Sequence, residues 1–347
     1  MTRVFVWATG QDDNLGDSAL RRGYLDALRT RGKMTVWTGS ASQGFLTGLG
    51  VQPGDRRTGS YRRWYTQALS TAVRLRTLVA VNAGEVPVSR MGAVRMTSLI
   101  PLIVLARLRG GGGLWYGAGV PNPLKDRRLA VPYRIVAALC REIRVREESS
   151  RSVVGHRELM PDWAFTLGTP VEQWALLDDR TLITLVLRGD RPEPSHDWLA
   201  WFEKLASQLN LTPAVVVQVG RDYLRAQELT ATLAPEYFAW FVEDHAEHEE
   251  SVRAIYGRSA VIVSDRLHAL IFGATEGAVP IGWVPSSSGK VRKHFDSWAM
   301  EWVGSHEGSE PEFLPVLDHA QLSELHSKLR VSVEGHREQL TAIEAAR

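Results

Sequence analysis

The chain has 347 residues, a length that predicts two domains rather than one. Apolar residues make up 44% and charged residues 23%, which is typical of a globular protein. The net charge of +2 gives no electrostatic reason to expect a nucleic-acid partner. Cys140 is the single cysteine, which excludes an internal disulfide and a zinc site built from cysteines, and we interpret it as a core residue.

Neither the N-terminal residues nor the longest apolar run indicates a membrane-spanning protein. Residues 1–7 enter a predicted strand directly, without the apolar segment of a secretory signal. The longest apolar run, 99–106, is too short to cross a bilayer. The sequence therefore predicts a cytoplasmic protein without a transmembrane segment, and it leaves open peripheral contact with the inner face of a membrane.

Strand-like and helix-like segments alternate along the first half, a pattern typical of an α/β sheet. The predicted strands here are 4–8, 34–37, 77–82 and 142–145. The predicted helices are 17–30 and 132–140, while 96–108 fits a helix or a strand equally. Residues 40–74 are assigned to loops and helix.

The second half repeats this alternation after a break at 167–179, where we expect the connection between domains. Predicted strands and helices then follow at 181–187, 196–209, 214–219, 251–257, 261–263 and 279–281. We expect two Rossmann-like α/β domains, 1–168 and 180–316, with mostly parallel sheets that face each other across a cleft. A helical tail, 317–347, could pack back on the first domain.

The most informative segment is 259–273. Val261, Ile262 and Val263 form a β-branched run typical of a covered parallel strand, and an apolar helix follows. Arg266 and His268 are therefore expected in the first turn of a helix at the carboxyl end of a strand, where open α/β sheets bind ligands. The helix N-terminus and a guanidinium predict an anion site, and the histidine would add a proton donor. Spacing alone does not distinguish this from two ordinary polar residues at a helix start.

Other motifs lie at similar places. Residues 14–17, Asn-Leu-Gly-Asp, follow the first strand, but they lack the spacing of a dinucleotide-binding loop, and as a bare pattern they are better explained by helix capping. Four glycines, 110–113, precede Leu114 and Trp115 and predict either a flexible loop or a close approach of backbone to a ligand. Arg146 and Arg188 each follow a predicted strand.

Three further groups of polar residues also have possible roles. Gln218 and Asp222 bracket a strand end and are candidates to bind a sugar hydroxyl. His245 and His248 lie among acidic residues, which we interpret as a solvated helix face and not as a metal site. Lys290 follows a Ser-rich segment and is a candidate phosphate ligand or a surface lysine.

Two of these motifs, in the same order, resemble signatures of the polysaccharide pyruvyl transferase family. They are Asn-x-Gly-Asp after the first strand and Ser-x-Arg-Leu-His before an apolar helix and a Val-Pro strand. The glycine run and the segment around Arg146 resemble further family elements, except that Glu147 stands where many relatives have Asp. The resemblance extends from Asn14 to about Lys290.

The resemblance implies a GT-B-like fold and a transfer of the pyruvyl group of phosphoenolpyruvate to two hydroxyls of a sugar. The product would be a pyruvate ketal on an exopolysaccharide or cell-wall glycan precursor, lipid-linked or free, with release of phosphate. Neither a cofactor nor a metal is required. The implied catalytic residues are His268 and Arg266. The implied phosphoenolpyruvate ligands are Arg146, Arg188, Arg266, Leu267 and Lys290. The implied acceptor-side residues are Asn14, Asp17, Gly112, Gly113 and Trp115.

Two alternatives stay open at the level of sequence. A nucleotide-sugar glycosyltransferase of the same shape would use the same helix N-terminus for a diphosphate. A non-catalytic saccharide-binding relative would keep the fold without turnover. The acceptor sugar, the hydroxyl pair, the ketal stereochemistry and the oligomeric state do not follow from the sequence.

Overall fold

The computed structural model describes residues 2–121, 126–233, 235, 237–285, 301–305 and 314–345. By its internal contacts the chain divides into two units. The first contains Met1–Asp12, Asp17–Trp163 and Gln339–Arg347, and the second contains Asp13–Gly16 and Ala164–Glu338. The predicted connection at 167–179 lies in the second unit, where it forms short 3-10 turns.

The sheet of the first unit has seven strands, and every pairing among them is parallel. Their order is β3-β2-β1-β4-β6-β5, and β7 pairs with β6. The strands are β1 (Arg3–Trp7), β2 (Lys33–Trp37), β3 (Arg56–Thr58), β4 (Thr77–Ala80), β5 (Gly84–Glu85), β6 (Gly112–Gly119) and β7 (Cys140–Val145).

The described residues of the first unit form five helices between these strands, α1 (Leu15–Arg29), α2 (Gln43–Leu49), α3 (Tyr61–Arg74), α4 (Arg90–Leu108) and α5 (Val131–Leu139), and a sixth, α6 (Glu148–Val154), after β7. The ambiguous segment at 96–108 is part of α4. That helix begins after Ser89, whose Oγ accepts a hydrogen bond from the backbone N–H of Gly92 at 3.0 Å. Met96, Leu99, Ile103 and Ala106 are buried at helical spacing, which resolves the ambiguity.

Helix α4 is also, among the described residues, the one helix long and apolar enough to cross a membrane by length and composition. In this fold it lies over the sheet, in contact with β4 and β6. Its buried residues Met96 and Leu102 belong to the same core as Trp7 and Trp115 of the sheet. One side of α4 is therefore committed to the core of the first unit.

The sheet of the second unit has six strands in the order β10-β9-β8-β11-β12-β13, and all pairings are parallel. The strands are β8 (Leu182–Val186), β9 (Thr212–Val216), β10 (Tyr237–Ala239), β11 (Ser259–Ser264), β12 (Val279–Pro285) and β13 (Glu301–Ser305). The helices are α7 (His196–Gln208), α8 (Tyr223–Leu233), α9 (His245–Tyr256), α10 (Leu267–Thr275) and α11 (His319–Ala345). The predicted fold class, α/β with two mostly parallel sheets, is confirmed.

The long C-terminal helix α11 contributes to both units. In the second unit, the guanidinium of Arg337 donates to the carbonyls of Phe165, Leu167 and Thr169 at 2.9–3.0 Å. In the first unit, Arg31 donates to the carbonyl of Ile343 at 3.2 Å. All of these bonds lie in the C-terminal third of the helix.

Candidate active site

The candidate site of the second unit lies where three adjacent strands end. β9, β8 and β11 are neighbours in the sheet. Arg188 follows β8, Asp222 follows β9, and Arg266 follows β11 directly before helix α10. Because the strands are parallel, their carboxyl ends share one edge, which is where α/β sheets bind ligands.

Arg266 is held by a buried carboxylate. Its Nε and Nη2 atoms donate to Asp222 Oδ2 and Oδ1 at 2.7 and 2.5 Å. Asp222 is 2% exposed, and its Oδ1 also accepts the backbone N–H of Gly189 at 2.9 Å. A guanidinium has five N–H donors, so Asp222 uses two and leaves three for a ligand. The interpretation of Asp222 as a sugar ligand is therefore replaced by a positioning role for Arg266.

Ser264 fixes the turn that presents Arg266. Its hydroxyl donates to the carbonyl of Val186 at 2.6 Å and accepts the backbone N–H of Arg266 at 2.9 Å. These two bonds tie the end of β11 to the end of β8. The serine of the Ser-x-Arg-Leu-His motif thus has a structural role, because a small side chain at this position must donate one hydrogen bond and accept another.

Arg188 is paired with an exposed acid. Its Nε and Nη2 atoms donate to Asp190 Oδ1 and Oδ2 at 2.7 and 2.6 Å. The bonds raise the pKa of Arg188 and lower the pKa of Asp190 to about 2. The side chain of Asp190 is 53% exposed, so this ion pair is worth little and is easily exchanged.

Asp265 is the unusual acid of the site. Its Oδ1 accepts the backbone N–H of Arg188 at 2.9 Å. Burial raises the pKa of Asp265 to about 7, against the opposing effects of that hydrogen bond and of the Arg266 and Arg188 charges. A carboxyl group that titrates near neutrality beside two arginines is typical of functional sites. The sequence predicted no role in the chemistry for Asp265.

His268 lies against the segment 13–16, which belongs to the second unit. A Cβ atom on Gly16 would come within 2.3 Å of His268 Nδ1 and 2.4 Å of its Cγ, so only glycine fits there. The backbone N–H of Leu15 donates to the carbonyl of Gln218 at 3.2 Å, and Asn14 forms an isolated bridge with Val219. The Asn-x-Gly-Asp motif and the Ser-x-Arg-Leu-His motif are therefore in contact through Gly16 and His268.

A second set of hydrogen bonds also holds the segment 13–16 on the second unit. The guanidinium of Arg221 donates to both carboxylate oxygens of Asp13, and the N–H of Gly220 donates to the carbonyl of Asp13 at 2.7 Å. Within the segment, Asn14 Oδ1 accepts the N–H of Gly16 at 3.1 Å. Asn14 thus shapes the turn that brings Gly16 to His268.

The first unit has its own pair of buried arginines, both at the carboxyl edge of its sheet. Arg146 follows β7, is 5% exposed, and donates through Nη1 to Asp162 Oδ2 at 3.0 Å. Arg21 on α1 donates through Nε to Asn82 Oδ1 at 3.1 Å. A Cβ atom on Gly84 would lie 3.8 Å from Arg146 Nη1 and 3.9 Å from Arg21 Nη2, so both guanidinium groups converge there.

Arg21 and Gly84 belong to no motif that the sequence analysis singled out. Arg21 also donates to the backbone carbonyl of Asp17 at 2.7 Å, and its Nη1 lies 3.4 Å from Asp17 Oδ1. The i,i+4 spacing of Asp17 and Arg21 on a helix was the available signal. Asp17 therefore helps to hold Arg21, in addition to accepting the backbone N–H of Gln11 at 2.9 Å.

The structure does not bring Gly112, Gly113 and Trp115 to this edge. Gly112 and Gly113 begin β6 and thus lie at its amino end, where a Cβ on Gly113 would meet Cys140 Sγ at 2.8 Å. Trp115 is fully buried in the core. The glycine of this strand that does reach the carboxyl edge is Gly119, whose Cβ would lie 3.1 Å from Arg146 Nη2.

Leu267 is the first residue of α10 and is half-buried, whereas Lys290 lies outside the described residues. Burial raises the pKa of Cys140 to about 12, as expected of a core thiol. The interpretation of His245 and His248 as part of a solvated face is wrong, since both are fully buried. Among the described residues, no group of three His, Cys, Asp or Glu side chains could hold a metal ion.

The chain is similar to known proteins at the level of family and of fold. Residues 14–283 match the family described as polysaccharide pyruvyl transferase. No curated protein matches the sequence. Among solved structures, Anabaena Alr3699/HepE in complex with UDP-glucose is similar over 100% of both chains, with 12% identity and a TM-score of 0.59.

Two further structures show the same fold. The glycotransferase of kitacinnamycin covers 98% of this chain and 95% of its own, with 14% identity and a TM-score of 0.50. UDP-GlcNAc 2-epimerase from Neisseria meningitidis, bound to UDP-GlcNAc, covers 98% and 94%, with 11% identity and a TM-score of 0.50. At these identities the similarity shows the fold alone, and that fold is GT-B-like.

Proposed function

The chain belongs to the polysaccharide pyruvyl transferase family, and from this premise we propose that it transfers the pyruvyl group of phosphoenolpyruvate to a sugar. Family membership makes it a saccharide-modifying transferase. The finer proposal is that two hydroxyls of one sugar residue receive the pyruvyl carbon as a ketal, and that phosphate is released. The acceptor would be a precursor of an exopolysaccharide or a cell-wall glycan.

The observation that carries the proposal is the edge formed by β8, β9 and β11. Phosphoenolpyruvate presents a phosphate and a carboxylate, so its site needs several fixed hydrogen-bond donors. Arg266, oriented by Asp222, retains three N–H donors, and the first turn of α10 adds backbone N–H groups that have no partner within the helix. A helix N-terminus also favours negative charge. Leu267, the first residue of α10, would bind the substrate through its backbone N–H.

Arg188 would join this site by exchanging its partner. In the structure it binds Asp190, an exposed carboxylate two residues away. A substrate phosphate offers a stronger, doubly charged acceptor for the same guanidinium fork. We propose that phosphoenolpyruvate displaces Asp190 from Arg188. In the free protein, the ion pair with Asp190 holds the same guanidinium.

His268 is the proposed proton donor. A proton delivered to the methylene carbon of phosphoenolpyruvate makes C2 electrophilic, and one sugar hydroxyl adds to it. The bond from C2 to the phosphate oxygen then breaks, and the second hydroxyl closes the ketal. Of the two hydroxyl protons, one restores the acid and the other leaves with phosphate. Arg188 and Arg266 would stabilise the departing phosphate, and no step calls for a metal or a redox cofactor.

The remaining implied residues that the structure describes lie in the first unit, except Asn14, which lies in the second. Arg146, a further implied ligand of phosphoenolpyruvate, keeps a buried Nε that has no hydrogen-bond partner among the described residues. Asn14 and Asp17 remain proposed acceptor-side residues, although the structure gives each an organising role as well. None of the contacts described above supports an acceptor-side role for Gly112, Gly113 or Trp115.

The test is incubation of the protein with phosphoenolpyruvate and a panel of synthetic glycosides, with phosphate release and product mass as the two readouts. The proposal predicts phosphate release that depends on the acceptor, and a product heavier by pyruvic acid less one water. Turnover of a nucleotide sugar in place of phosphoenolpyruvate would support a glycosyltransferase instead. Inertness towards every donor, with saccharide binding intact, would support a non-catalytic relative.

A further inference from the structure

Three adjacent helices of the first unit have an unusual charge composition. Helices α3, α4 and α5 carry seven arginines and no acidic residue. The whole chain has a net charge of only +2, so the rest of the chain is acidic on balance. Six of the seven arginines are exposed: Arg62, Arg63, Arg74, Arg90, Arg107 and Arg134.

These three helices form one layer over the sheet. α4 packs against both α3 and α5, and each helix contacts strands of the sheet. Their buried residues, such as Trp64, Leu102 and Tyr133, belong to a single core together with Val79 and Trp115 of the sheet. Because all three bury their inner faces against the same sheet, their exposed faces point away from it on the same side.

The exposed face of α4 is mostly apolar. Val94, Thr97, Pro101, Val104 and Leu108 are all exposed and are spaced by three or four residues, which places them on one side of the helix. Val94 is 64% exposed and Leu108 is 76% exposed. The neighbouring helix α5 exposes Val131, Ile135 and Ala138 at the same kind of spacing.

We infer that this layer is a docking surface for an anionic lipid bilayer. We call it the basic layer, defined by the exposed side chains of α3, α4 and α5. An apolar ridge bordered by arginines is the pattern by which helices lie in a membrane interface, with apolar side chains at the acyl boundary and cations at the headgroups. This inference does not rest on the proposed function.

Charge complementarity selects the bilayer over a second copy of the chain. A two-fold contact through the basic layer would bring two sets of exposed arginines together without an acidic partner on these helices. An anionic bilayer instead offers a negative surface to the arginines and an apolar interior to Val94 and Leu108. The buried side of α4 stays in the protein core, so the contact is peripheral.

The experiment is flotation of the full-length protein with vesicles of phosphatidylcholine alone and of roughly three parts phosphatidylcholine to one part phosphatidylglycerol. We expect binding to the anionic vesicles only, and its loss in about 0.5 M salt, where charges are screened within roughly 4 Å. Arg62→Gln and Arg63→Gln should each weaken binding about fivefold, since each basic residue near such a surface contributes about 1 kcal/mol. Absence of binding to either vesicle would overturn the inference.

Matched variants separate the basic layer from general surface effects. Val94→Glu and Leu108→Glu should abolish flotation. Val331→Glu on α11 and Leu224→Glu on α8 introduce the same charge at positions 72% and 70% exposed, and both should float as the wild type does. Equal loss in all four variants would contradict a docking role for α4. So would a dimer in sedimentation that Val94→Glu converts to a monomer, because the ridge would then bind a second copy.

Discussion

The imidazole of His268 occupies the space that a side chain on residue 16 would need, with a Gly16 Cβ position 2.3 Å from Nδ1. Residues 16 and 268 come from motifs separated by most of the chain, yet both lie in the second unit. The close approach explains why the Asn-x-Gly-Asp motif requires glycine at its third position. It also makes His268 the side chain whose position depends most directly on that glycine.

Gly16→Ala is therefore expected to displace His268 while leaving the fold intact. A displacement of about 1 Å at a catalytic group can cost about a hundredfold in rate, and we expect a loss of turnover of that size. Gly335→Ala is the control, because among the described residues no heavy atom beyond the neighbouring backbone of α11 lies within 4 Å of its Cβ position. Full turnover by Gly16→Ala would contradict the placement of His268 at the reacting centre.

Asp222→Asn tests the support of Arg266. Asp222 is buried and holds the guanidinium through two hydrogen bonds, so the change leaves a half-buried cation poorly paired. Breaking such a pair costs about 3–5 kcal/mol of unfolding free energy. Asp190→Asn, which breaks an exposed pair with Arg188, should cost about 0–1 kcal/mol. Chemical denaturation that gives equal losses for the two variants would show that Asp222 has no special role.

His268→Gln distinguishes a proton donor from a fixed hydrogen-bond donor. An amide can donate to phosphate but cannot protonate carbon, so we expect turnover to fall by about a hundredfold to ten-thousandfold. Binding of phosphoenolpyruvate, measured by calorimetry, should persist because Arg188 and Arg266 remain. Substantial turnover in this variant would remove the assignment of His268 as the acid and would leave Asp265, with a pKa of about 7, as the next candidate.

His326 predicts how stability depends on pH. Burial, and then the positive charges of Arg180 and Arg330, lower the pKa of His326 to about 4. Its pKa in the unfolded chain is about 6.5. The unfolded state therefore binds the proton first, and stability is lost as the pH falls from about 6.5 towards 4.

The variant His326→Gln isolates this effect. Between about pH 7 and pH 4.5, the wild type should lose roughly 2–3 kcal/mol more unfolding free energy than the variant. Urea denaturation at a series of pH values provides the measurement. Parallel pH profiles for the two proteins would show that His326 is not the group responsible.

The sequence predicted the positions of Arg188 and Arg266 because both depend on local patterns. A β-branched run marks β11, apolar residues at helical spacing mark α10, and the residues between them must lie at the sheet edge. Their partners could not be predicted, since Asp222 is 44 residues from Arg266 and only the order of the strands brings it there.

The sequence left the glycine run and the type of α4 undecided, for two different reasons. Glycines 110–113 suggest a loop, but β6 begins at Gly112. Packing explains the glycine at 113, because a Cβ atom there would lie 2.8 Å from Cys140 Sγ and 3.1 Å from Ile103 Cδ1. In α4 the exposed face is almost as apolar as the buried face, so no periodic contrast separates helix from strand. The apolar exposed face of α4, which removes this contrast, is also a feature from which we infer that the basic layer binds a partner.

The most direct test of pyruvyl transfer uses phosphoenolpyruvate labelled with ¹⁸O at the oxygen that joins C2 to phosphorus, with an acceptor glycoside found active in the panel. Addition at C2 breaks the carbon–oxygen bond, so the account predicts that released phosphate carries the label and that the glycoside gains a pyruvate ketal. The contrary result is unlabelled phosphate, with the label retained in free pyruvate. That would mean cleavage of the phosphorus–oxygen bond, and the edge formed by Arg188, Arg266 and His268 would then carry out a different reaction.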